Sequence, residues 1–168
     1  MFVTPLNADN ADLQTLPTQS YYWPLWLKDG ESWCLGIAPL WLLVADETTL
    51  TRYERQVDLS YQQTPLNEDL LTCLKKLFLA TPCPAYPLTL GFTGGLMGWM
   101  SYPNSSHANN ERVSFPSMCL GFYDVFIRPN DEKLVHLYAP SASLAETVLA
   151  QLQTSPTQYS FTLTEPFQ

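Results

Sequence analysis

Charge is scarce in this chain of 168 residues: 14% of positions are Asp, Glu, Lys or Arg, against roughly 25% in an ordinary soluble domain. Cations are scarcest, 8 Lys and Arg facing 16 acids for a formal net charge of −8. That shortage argues against binding a nucleic-acid backbone, which needs Lys and Arg to displace counterions. It also leaves no basic amphipathic segment for a membrane surface. No apolar run reaches the roughly 20 residues of a membrane helix. Met1-Phe2-Val3-Thr4-Pro5 lacks the basic start and apolar core of a signal peptide. The chain thus reads as cytoplasmic. Cys34, Cys73, Cys83 and Cys119 form no C-x-x-C pair, and His107 and His136 add no zinc-ligand spacing. Buried thiols are the expectation at Cys34, Cys73 and Cys119.

Apolar residues, by contrast, make up 46% of the chain, with five Trp, nine Tyr and eight Phe. The length suits one domain over residues 1–168 with a real core. Aromatic surface left outside that core marks an interface.

Hydrophobic patterning predicts an α+β chain: a layered, mostly antiparallel sheet or sandwich with flanking helices. A short helix is expected over residues 7–16, and strands over Tyr21–Leu27 and Leu40–Val44. Leu50–Tyr61 reads as a partly exposed strand or hairpin arm. Thr64-Pro65 reads as N-cap and first position of a helix whose stripe is Leu66, Leu70, Cys73, Leu74, Leu77 and Phe78. Leu90–Tyr102 reads as a strand apolar on both faces, in the middle of the layers. Met118–Ile127 and Leu134–Tyr138 read as a hairpin. Ser143-x-x-Glu146 reads as the capping box of a last helix, followed by a strand over Tyr159–Leu163.

The densest local signal is Phe92-Thr93-Gly94-Gly95-Leu96-Met97-Gly98-Trp99-Met100-Ser101-Tyr102. Three glycines weaken a strand unless its backbone must bend or approach another backbone closely. Gly94, Gly95 and Gly98 are therefore expected to serve geometry and packing, and Gly95→Val to cost about 2 kcal/mol or more through strain and overpacking. The cluster is no phosphate loop, since Trp99 follows Gly98 where a Walker loop needs Lys, and Thr93 replaces the first glycine of a dinucleotide fingerprint. Asp124, inside the apolar run after Tyr123, has no acid, His or ligand-spaced partner nearby. It is expected to hold structure by hydrogen bonding. No catalytic group stands out, which leaves Trp23, Trp26, Trp33 and Trp99 as either core or the lining of an aromatic pocket in a free-standing binding module.

Phe92, Gly94, Gly95, Gly98 and Tyr102, followed by Pro116, Gly121, Tyr123 and Asp124, resemble the N-terminal domain of the chorismate-utilising enzymes. These are the component I chains of anthranilate synthase and aminodeoxychorismate synthase. The likeness is most specific from Phe92 to Asp124. It extends to Trp23–Gly30, to Gly36-Ile37-Ala38-Pro39, and to Phe161-Thr162-Leu163-Thr164, which is similar to the aminodeoxychorismate synthase branch.

The resemblance implies a scaffold and regulatory domain of a parent that aminates chorismate on the way to 4-aminobenzoate and folate. Its partners would be a C-terminal catalytic domain and a glutamine amidotransferase subunit. Mg²⁺ and the acid–base residues would belong to that other domain, with no cofactor in this one, so the 168 residues alone are expected to convert no chorismate. The alternative parent is anthranilate synthase. In the family a tryptophan pocket lies at the segment matching Leu27, Lys28 and Asp29, where Asp29 replaces a serine that helps hold the ligand. A carboxylate facing the ligand's own predicts weak or no tryptophan binding.

Overall fold

The structure, a computed structural model, describes residues 1–6, 23–29, 32–46, 49–81, 94–100, 116–130 and 132–154. Among them the strands are β1 (Phe2–Pro5), β2 (Leu25–Asp29), β3 (Ser32–Ile37), β4 (Trp41–Ala45), β5 (Leu50–Arg55), β6 (Tyr61–Leu66), β7 (Gly95–Met100), β8 (Met118–Tyr123), β9 (Val125–Pro129) and β10 (Val135–Ala139). The helices are α1 (Leu70–Ala80) and α2 (Ala142–Thr154).

Two five-stranded sheets result, with strand orders β1-β10-β9-β3-β2 and β6-β5-β4-β8-β7. Every pairing within them is antiparallel. The α+β reading with flanking helices holds at that level. Two chain segments pass directly between the sheets: β3 enters β4 through Ala38-Pro39-Leu40, and β8 enters β9 through Asp124. They cross side by side, since Ile37 is in register with Val125 and Trp41 with Phe122. Ala38 bends with φ at 45°, a left-handed conformation that costs a residue with a Cβ about 1–2 kcal/mol. Strands that switch sheets at a bend are how two sheets come to pack at a steep angle.

Strand alternation gives each sheet one face for a helix and one for the other sheet. Leu35, Ile37, Val125, Ile127, Leu137 and Ala139 form a core with Ala145 and Val148 of α2. Trp41, Leu43, Met118 and Phe122 form a second core with Cys73 and Leu77 of α1. The opposite faces meet near the crossing, where Gly36 of β3 lies against Tyr123 and Met97 of the other sheet. The turn between β5 and β6 ties the layers again. Leu59, with φ at 64°, is buried in the core beneath α2.

Several elements depart from the sequence-based reading. The helix begins at Leu70, because Asp69 rather than Thr64 accepts the capping bond, from Thr72 N–H at 3.0 Å. Thr64 and Pro65 lie in β6, an edge strand, where a missing N–H is tolerated. The run Met118–Ile127 is two strands in different sheets, split at Asp124. β7 is an edge strand of its sheet: Met97 is buried towards the other sheet and Leu96 packs into the core beneath α1, while Met100 at its end is 61% exposed. α2 starts at Ala142, and Ser141 Oγ, not Ser143, accepts from Leu144 N–H at 3.2 Å. The helix over residues 7–16, the strand over Tyr159–Leu163, and Phe92, Tyr102, Cys83 and His107 lie outside the described residues.

Candidate functional site

At the crossing, Arg55 from the end of β5 reaches three acceptors at once. Its guanidinium donates to Asp124 Oδ1 at 2.8 Å, to Asp124 Oδ2 at 2.9 Å, and to the carbonyl of Ala38. The two side chains are only 7% and 9% exposed. Such a forked, charge-assisted pair is the strongest polar contact available to a side chain. It joins the two bends that carry the chain between sheets. Backbone bonds close the same corner, Leu40 N–H to Phe122 O at 2.8 Å and Arg55 N–H to Leu40 O at 3.0 Å.

Two tyrosines flank the pair. Tyr61 donates its hydroxyl to Pro39 O at 2.9 Å, and Tyr123 donates to Trp23 O at 2.8 Å. Burial holds both phenols protonated well above their ordinary range. The Tyr123 ring fits because two neighbours lack side chains. A Cβ on Gly36 would stand 2.7 Å from its Cδ1, and one on Gly121 would stand 2.8 Å from its Cε2.

With both carboxylate oxygens held by one guanidinium and almost no access, Asp124 has no opening for proton transfer with a substrate. The geometry is that of a structural pin. Arg55 is the residue that sequence reasoning misses, since it stands within Leu50–Tyr61, which reads as a partly exposed strand or hairpin arm. The signal was present, since a lone carboxylate in an apolar run demands a cation, and this chain has few.

The glycine residues act separately. Gly94 and Gly95 have φ at 107° and 134°. A Cβ on Gly95 would meet nothing within 4 Å, so the overpacking expected there does not occur and only backbone strain remains. Gly98 is the close approach: its Cβ would stand 2.0 Å from the carbonyl oxygen of Cys119 on β8. Pro116 leads into β8.

The second candidate region is the rim at β2, the far edge of the other sheet. Leu27 pairs in register with Cys34, Lys28 with Trp33, and Asp29 with Ser32. Alternation therefore sets Lys28 on the face opposite Leu27 and Asp29. Trp26 is 43% exposed and its ring lies 5.1 Å from that of Trp33, tilted by 48°. Trp26 and Trp33 thus form a pair, whereas Trp23 packs on Tyr53 of the other sheet and Trp99 stands on β7. Behind the rim, burial pushes the Cys34 thiol up to about 12.

A third feature is an open cleft of about 430 Å³ beside the start of α1, between Asp46, Thr49, Asn67 and Glu68. Glu68 is engaged by Lys76. Among the described residues no group of three or more His, Cys, Asp or Glu is placed to hold a metal ion. No described helix is long and apolar enough to cross a membrane. Neither a family model nor a curated protein matches the chain.

Proposed function

We propose that this chain is the N-terminal scaffold domain of an aminodeoxychorismate synthase component I. The parent enzyme replaces a hydroxyl of chorismate with ammonia drawn from a glutamine amidotransferase subunit. The supporting observation is what becomes of the residues that carry the resemblance. Gly98 permits β7 to lie against β8, Gly121 leaves room for the Tyr123 ring, and Asp124 pins the crossing. All of these serve architecture, as a scaffold requires, and none points a reactive group at a cavity.

Reconstitution tests the reading. The chain alone, given chorismate, Mg²⁺ and ammonia, should form no aminodeoxychorismate. Mixed with a separately produced chorismate-binding domain of an aminodeoxychorismate synthase, it should co-elute on gel filtration and raise product formation. Product from the chain alone, or failure to associate with that domain, overturns it.

A further inference from the structure

We infer that the turn between β5 and β6 is a latch: Leu59 holds α2 on its sheet, and withdrawal of Leu59 lets α2 leave as a unit while the two sheets stay joined. The base of the turn is anchored. Arg55 on one side holds Asp124, and Tyr61 on the other donates to Pro39 O, so both ends are fixed at the crossing. Between them residues 56–60 close on themselves. Gln56 N–H donates to Ser60 O at 2.8 Å, Leu59 N–H to Gln56 O at 3.1 Å, and Ser60 Oγ to Asp58 Oδ1 at 2.6 Å.

The turn reaches across the layers. β5 and β6 belong to one sheet, yet Leu59 sits in the core that α2 closes over the other. Leu59 is 1% exposed, whereas Val57 beside it is 93% exposed. The seat is strained. Leu59 has φ at 64°, a left-handed backbone that a leucine keeps only where its surroundings hold it. Burial of the side chain favours the seated position and backbone strain opposes it. The balance is therefore finer than for a core leucine on a regular strand.

α2 depends on that seat. Its buried residues in this core, Ala145 and Val148, are small, and Leu59 supplies bulk in the same cluster. Gln151 Nε2 donates to Asp58 O at 3.4 Å, a long bond that joins the last turn of α2 to the latch. At the other end Pro140 and Ser141 link α2 to β10, a joint about which the helix can swing without breaking a strand pairing. The crossing is held differently, by the buried Arg55–Asp124 pair and by backbone bonds at Leu40 that involve neither α2 nor Leu59. Opening therefore stops at the helix. This inference stands independently of the reading as a chorismate-enzyme scaffold.

Hydrogen exchange on the whole chain, followed residue by residue by NMR, is the test. In the parent, amides of α2 should exchange about tenfold or more faster than those of β4, β8 and β9, through an opening smaller than global unfolding. Leu59→Ala should speed α2 exchange by about tenfold or more, because the side chain has left its seat in the opened state. Leu59→Met, of similar volume, should keep α2 within about threefold of the parent, and reads the latch even if the alanine variant folds poorly. Leu43→Val thins the core beneath α1, which stays intact in the opened state. It should speed exchange in β4 and β8 and leave α2 within about twofold of the parent. Exchange of α2 at the rate of the strands in the parent, indifference of α2 to Leu59→Ala, or acceleration of α2 by Leu43→Val would each overturn the inference.

Discussion

The crossing between the sheets and the rim at β2 are built from the same materials, aromatic rings beside a cation and a carboxylate. At the crossing each polar tip has a partner: Arg55 holds Asp124, Tyr61 holds Pro39 O, and Tyr123 holds Trp23 O. At the rim Trp26 and Leu27 are exposed, and strand alternation separates Lys28 from Leu27 and Asp29. The difference teaches which signals in the chain are architecture. Burial with full polar pairing fixes one geometry, whereas an open strand edge fixes little.

The sharpest way to break the comparison is at Asp124. Asp124→Ala leaves a buried guanidinium with only the Ala38 carbonyl to accept from it and no counter-charge, which should cost about 3–5 kcal/mol. Replacing both partners, as in Arg55→Met with Asp124→Leu, should recover most of that, since the desolvation of both charges is removed together. Urea unfolding of the two variants measures this. A loss below about 1 kcal/mol for Asp124→Ala would mean that the pair is no pin.

Next in size are the two glycines of β7. Gly98→Val must push a Cβ through a carbonyl oxygen of β8, so a loss of about 3 kcal/mol is expected, with disruption of the β7–β8 pairing. Gly95→Val meets open space and should cost about 1–2 kcal/mol from its φ alone. Equal losses at the two positions would show that strain, not close approach, governs both.

How much of this was legible follows from range. The cores announced themselves through local periodicity, as at Leu40–Val44 and at Cys73, Leu74 and Leu77. Element boundaries did not, because Thr64-Pro65 suits a helix start and an edge strand equally well, and Asp69 five residues on takes the cap. The break at Asp124 was not readable as a sheet switch, since Met118–Ile127 is apolar but for Asp124 itself and the carboxylate's partner is Arg55, 69 residues away. Gly36 likewise makes sense only once Tyr123 lies over it. Non-local pairing of this kind leaves a charge among apolar residues as its sole trace in the sequence.

A smaller effect lies in alkaline solution and links the two regions. The Cys34 thiol behind the rim is raised from 9.0 to about 12 by burial, and the phenols of Tyr61 and Tyr123 at the crossing are raised as well. Each group keeps its proton in the folded state at a pH where the unfolded chain has lost it. The stability is thus fully present below about pH 9 and declines as pH rises towards 12. Unfolding midpoints should fall steadily across that window, and Cys34→Ala should flatten the first part of the fall. A midpoint unchanged between pH 8, about a unit below the onset, and pH 11, about two units above it, would contradict the burial assigned to these groups.

The smallest effect is expected where the sequence resembles a ligand pocket. A free amino acid needs a donor for its carboxylate, an acceptor for its ammonium, and an apolar slot for its side chain. Lys28 is the donor nearest in sequence, but register places it beside Trp33, on the other face from Leu27 and position 29. Leu27 instead backs onto Cys34, whose neighbours Phe126 and Tyr138 already stack on each other with centroids 4.9 Å apart. Leu27 and Lys28 therefore lie on opposite faces of β2. Calorimetric titration of tryptophan should give a dissociation constant no tighter than about 1 mM. Asp29→Ser removes the carboxylate that stands where the family has a serine. That variant should gain little affinity while Lys28 stays on the face opposite Leu27. Micromolar binding by the unmodified chain would show instead that the rim is a formed site, and that the contrast with the crossing is one of purpose rather than of order.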